Sequence, residues 1–141
     1  MDVDKTLIEI SKRKELYTHY LHNSDKNFVL GNIAKSSEFL WGAIHTLIYA
    51  IALTYDKKLS KHSQIRDFAK ELTEIEKDEE IVKGVILGET LHSNFYHNFL
   101  DKEQLTTNKK LAEELIFKLE NILTKRILDL KQNLESEELA Q

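Results

Sequence analysis

The sequence predicts an all-α fold, a single-domain bundle of about five helices. Proline is absent and only four glycines occur among 141 residues, so the commonest helix breakers are missing. Apolar residues recur at three- and four-residue steps through long windows, and no strand-length segment alternates apolar with polar. The length suits one core, read as residues 1–135, with a frayed tail at 136–141.

Leu7, Ile10, Tyr17 and Leu21 form the stripe of a first amphipathic helix, predicted from Asp2 to His22. Ser24 and Asp25 are residues of capping type, so a second helix is predicted from about Asp25 to Tyr55, with Val29, Ile33, Leu40, Ile44, Leu47 and Ile51 in one seam. From Leu40 to Leu53 it is apolar nearly all round, which places it in the middle of the bundle. A third helix from about Lys61 to Lys77 sets Ile65, Phe68, Leu72 and Ile75 on one face. A fourth, from about Glu79 to Leu100, carries the seam Ile81, Val85, Gly88, His92, Phe95 and Phe99; Gly84 and Gly88 leave room for a close neighbour. The last, from about Thr107 to Leu134, repeats Ile116, Leu119, Leu123, Ile127, Leu130 and Leu134 at close to 3.5 residues. Its length predicts a partner, and a second copy fits.

Composition bounds the function. Hydrophobic residues at 41% and charged residues at 31% exclude a disordered chain and a membrane-embedded one. The apolar run Leu47–Leu53 is far shorter than the roughly 20 residues a bilayer span needs, and Asp2 and Asp4 open the chain, so a cytoplasmic protein without a membrane role is expected. Without cysteine there is no disulfide, thiolate metal site or cysteine nucleophile. A net charge of −4 and a pI near 5.9 exclude coating of long nucleic acid by general electrostatics, while leaving room for a local site.

The informative polar residues lie on apolar helices, where desolvation requires a partner. Glu38, Trp41 and His45 share one face by a three-then-four spacing, and Glu89, His92 and Tyr96 do the same on the fourth helix. These groups either bond one another across the bundle and fix its packing, or line a pocket. Glu89 and His92 match the Glu-x-x-His step of di-iron bundles, but no second copy exists; no Gly-rich phosphate loop or His-Glu-x-x-His motif occurs, so no metal or other cofactor is expected. Lys57, Lys58, Lys61, His62 and Arg66 cluster near the start of the third helix, where free backbone N–H groups favour phosphate.

The block Glu38-Phe39-Leu40-Trp41-Gly42-Ala43, then Ala50, Leu59, His62, Ile65 and Leu72, and later Leu91-His92-Ser93-Asn94-Phe95-Tyr96, resembles the archaeal PaREP family, grouped with the HEPN helical superfamily. The likeness covers about residues 13 to 100. It implies a bundle of four or five helices, often dimeric, linked to nucleotide and RNA transactions, either as metal-independent ribonucleases or as non-catalytic partners of nucleotidyltransferases. The ribonucleases of that superfamily carry Arg, four to six residues, then His. Here His92 stands where the Arg belongs and His97 where the His belongs. An imidazole is a poor substitute for a guanidinium clamp. Arg13 and His19 meet the spacing, but in the first helix.

The resulting expectation is a homodimeric, non-catalytic module that binds a nucleotide, an RNA end or a nucleotidyltransferase through Glu38, Trp41, Lys61, His62, Arg66, His92, Asn94 and Tyr96. Trp41 and Tyr96 would stack, Lys61 and Arg66 would meet phosphate, and Glu38 would hold a histidine. The alternatives are a ribonuclease using His92 and His97 with Asn94 orienting phosphate, and a structural interaction protein.

Overall fold

A computed structural model describes residues 1–140. It contains five helices and, among the described residues, no strand: α1 Val3–Val29, α2 Ile33–Thr54, α3 His62–Glu76, α4 Glu80–His97 and α5 Lys102–Ala140. Helix α2 is the axis of the bundle, packed by α1, α4 and α5, with α3 leaning on α4 and on one side of α2. Leu40, Ile44, Leu47, Ile48 and Ile51 are fully enclosed, as the all-round apolar pattern predicts. By length and composition α2 could cross a bilayer, although its uninterrupted apolar run is short, yet 78% of its apolar window is buried against its neighbours.

The first break in the chain lies later than predicted. Helix α1 continues through Asn23, Ser24 and Asp25 to Val29, and the turn forms at Gly31, whose φ of +80° is costly for any residue with a Cβ. Ser24 is not a cap. It is fully buried and clasps α2 reciprocally: its Oγ donates to the Ser36 carbonyl at 2.9 Å, and Ser36 Oγ donates to the Ser24 carbonyl at 2.8 Å. Asp25 instead pairs with Lys109 on α5 at 2.8 Å. Val29, assigned from sequence to the α2 seam, therefore sits exposed at the turn.

Helix α4 stops at His97 rather than Leu100, because Asn98 adopts the left-handed conformation that Asn tolerates and the chain reverses there. Its buried seam is Ile81, Gly84, Val85, Gly88, Leu91 and Asn94; His92 is half-buried, and Phe95 and Phe99 are exposed. Helix α5 starts before Thr107, where Asp101 and Gln104 cap each other's backbone N–H at 2.7 and 3.0 Å. At the other end it remains helical to Ala140 through the segment expected to fray; Gln141 lies outside the described residues. Arg126 ties α5 to the end of α2, donating to Thr54 Oγ1 at 3.1 Å and to the Thr54 carbonyl at 2.8 Å while lying 3.8 Å over the Tyr55 ring.

Both close-approach glycines meet side chains from neighbouring helices. A Cβ on Gly88 would lie 2.5 Å from the Trp41 ring, and one on Gly84 would lie 2.5 Å from a terminal methyl of Leu115. The indole is walled in, whereas a leucine end can rotate. Gly88→Ala is therefore expected to cost about 1–3 kcal/mol through overpacking, against about 1 kcal/mol gained in helix propensity. Gly84→Ala should be near neutral or stabilising. Thermal melts of the two variants check this, and the ranking fails if Gly84→Ala melts lower than Gly88→Ala.

Candidate functional site

Trp41, 2% exposed, forms the floor of a cluster of rings contributed by α2, α3 and α4. Its position follows from α2 facing Gly88 of α4, which lets the indole lie against the α4 backbone. Three imidazoles surround it, with centroids at 5.4 Å for His45, 6.0 Å for His62 and 6.0 Å for His92. His62 and His92 meet edge to face at 5.3 Å, and Tyr96, one helical turn beyond His92, continues the ladder at 5.3 Å. The outer rungs are open, with Tyr96 68% exposed and His62 also exposed.

Glu38 accepts the N–H of His92 Nδ1 at 2.7 and 3.1 Å through its two carboxylate oxygens. That contact orients the ring and leaves Nε2 as its second polar atom. Glu89 does not join His92 in a metal site. It pairs with Arg66 Nε at 3.0 Å, across the α3–α4 seam. Among the described residues no three His, Asp or Glu side chains gather as ion ligands.

Glu38, Trp41, His62, His92 and Tyr96 thus converge, Glu38 sharing a face with Trp41 and His92 with Tyr96 as the spacing predicts, with Arg66 beside them but already engaged by Glu89. They form an open face rather than an enclosed pocket. Separate grooves lie elsewhere: one of about 180 Å³ runs between α4 and α5 beside Gly84, Leu87, Leu111 and Leu115. Asn94 is not part of the face. It is fully buried, donates to Ser37 Oγ at 3.2 Å and accepts the Leu100 N–H at 2.8 Å, so it holds the α4–α5 turn to α2. Lys61 is exposed at the α3 N-cap, where its N–H donates to Gln64 Oε1 at 3.1 Å. His97 is exposed at the end of α4 and, five residues from His92, points away from it on a regular helix. Arg13 and His19 also stay apart in role: Arg13 lies 3.8 Å over Tyr49, while His19 is exposed.

His45 is the residue whose part in the cluster the sequence understated. The only signal was its position four residues beyond Trp41 on the same helix face. Its Nδ1 is buried with no hydrogen-bond partner among the described residues, and its ring lies 6.5 Å from that of Tyr20 on α1. Burial pushes the imidazole pKa down to about 4, helped by positive charge on His62, Arg13 and His92.

An all-α bundle with a histidine-rich aromatic face is the class that fold and site define. Within it, the sequence model of the archaeal PaREP1/PaREP8 family matches residues 12–116, and the chain belongs to that family. No curated protein and no solved structure matches it.

The depressed pKa of His45 fixes the sign of an acid effect. Between its unfolded value of 6.5 and about 4, the unfolded chain takes up a proton that the folded chain refuses. The contribution of His45 is therefore complete above pH 6.5 and is lost as pH falls toward 4, by an amount on the order of 3 kcal/mol. Urea melts from pH 7.5 to 4 should show this loss, and His45→Phe should flatten it; an unchanged slope in the variant would remove His45 as the cause.

Proposed function

We propose that this protein is a non-catalytic binding module, cytoplasmic and of HEPN type, whose α2–α3–α4 face takes a base-bearing ligand, a nucleotide or an RNA end. The observation that carries this reading is the ring ladder from Trp41 through His62 and His92 to Tyr96, closed at its base and open at its tip. An exposed ring backed by further rings offers a rigid surface on which a base can stack. The carboxylates nearby are each matched, Glu38 by His92 and Glu89 by Arg66, which lowers the local cost of bringing an anionic ligand close. Lys61, exposed at the rim with no ion-pair partner among the described residues, supplies a cation for phosphate.

The absence of catalysis is part of the proposal. The family resemblance places a histidine where a ribonuclease would present a guanidinium, and the nearby Arg66 is held by Glu89. His92 and His97 do not face one another within one chain. A nucleotidyltransferase, the partner that the HEPN resemblance implies, would meet the same face with its nucleotide. The HEPN assignment draws its support from the five-helix bundle and from the two blocks around Trp41 and His92.

The single tryptophan makes the test direct. Titrating mononucleotides and short single-stranded RNA at pH 7.5 should quench Trp41 fluorescence saturably. Loss of one stacking ring is worth about 1–3 kcal/mol, so Tyr96→Ala and His62→Ala should each weaken binding about 5- to 100-fold. RNA should be recovered uncut. Flat titrations to millimolar ligand, or binding unaffected by both variants, would refute the reading.

A further inference from the structure

Helix α5 carries a second surface, on the side turned away from the bundle. Phe117, Leu128 and Leu139 are 66%, 53% and 88% exposed. They stand eleven residues apart, about three helical turns, so they return to one face. Asn121 and Thr124, both exposed and uncharged, occupy the turns between Phe117 and Leu128. Lys110 and Glu114 flank this stripe toward the N-terminus, and Lys131 and Glu135 toward the C-terminus. Among the described residues none of these four makes an ion pair within the chain, although Lys109, Lys118 and Arg126 of the same helix all do. At 39 residues α5 is also far longer than the 22-residue helix it packs against, and residues 131–140 are exposed apart from half-buried Leu134.

We propose that this face is a homodimer interface in which α5 packs antiparallel on α5 of a second copy. The stripe is complementary to itself in that direction. A two-fold axis passing between Asn121 and Thr124 lays Phe117 on the partner's Leu128, Lys110 beside the partner's Glu135, and Glu114 beside the partner's Lys131. A parallel pairing in register would set each charge against its own copy, which is repulsive. From Lys110 to Glu135 each half of the stripe carries the complement of the other half, and that is the signature of an isologous contact between identical chains rather than of an unrelated partner. The contact leaves the α2–α3–α4 face free, because that face lies on other helices.

Sedimentation equilibrium of the full chain is expected to show a reversible dimer. Phe117→Glu with Leu128→Glu should raise its dissociation constant about 100-fold or more, with helicity by circular dichroism unchanged. Lys110→Glu should weaken the dimer about tenfold, and adding Glu135→Lys should restore it. Because the chain has no cysteine, orientation is read by oxidative crosslinking. Asn121→Cys, close to the axis, should crosslink to its own copy, whereas Glu135→Cys, at opposite ends of an antiparallel pair, should not. A chain that stays monomeric at hundreds of micromolar, a dimer indifferent to the Phe117/Leu128 variant, or ready crosslinking through Glu135→Cys would each overturn the proposal.

Discussion

A helix that is apolar around most of its circumference has to be enclosed, and the arrangement of this protein follows from the enclosure of α2. Leu40, Ile44, Leu47, Ile48 and Ile51 would each expose a large apolar surface if any neighbour withdrew. Helices α1, α4 and α5 cover them, and the contacts that set the spacing of these helices are specific. The Ser24–Ser36 clasp fixes α1, Gly88 beneath the indole fixes α4, and Arg126 on the end of α2 fixes α5. Each satisfies a polar group or removes a side chain at a point where apolar packing alone would leave the register free.

The same enclosure creates the ring face. Trp41 cannot approach α4 so closely unless position 88 lacks a Cβ, and once the indole is there its remaining surface is available to rings from α3 and α4. His62 and His92 occupy that surface, one exposed and one held by Glu38. His45 takes the inward side, where its Nδ1 has no hydrogen-bond partner among the described residues and burial favours the neutral form. Three imidazoles around one indole therefore differ in solvation, because each stands at a different depth.

The proposed ring-face site and the proposed α5 interface occupy separate parts of the chain. The ring face uses α2, α3 and α4, all inside the span that matches the PaREP1/PaREP8 family, whereas most of the α5 stripe lies beyond residue 116, where that match ends. The division is physically economical, since a dimer joined through α5 would carry two open ring faces without covering either.

Fold class, helix number and the identity of the central helix were legible in the sequence, because periodicity and the absence of breakers act locally. So was the sharing of faces by Glu38 with Trp41 and by His92 with Tyr96, since a three- or four-residue step fixes direction on a helix whatever surrounds it. The ends of helices were less legible. Ser24 has the chemistry of a cap, and only the approach of Ser36 from another helix turns it into a clasp. Asn94 has the chemistry of a ligand contact, and only the return of the chain at Leu100 makes it a turn anchor. Which imidazole would be buried, which carboxylate would take His92, and whether Arg66 would stay free depended on how separate helices dock. Sequence spacing governs neighbours along one helix, but distances between helices are set by the packing of the whole core.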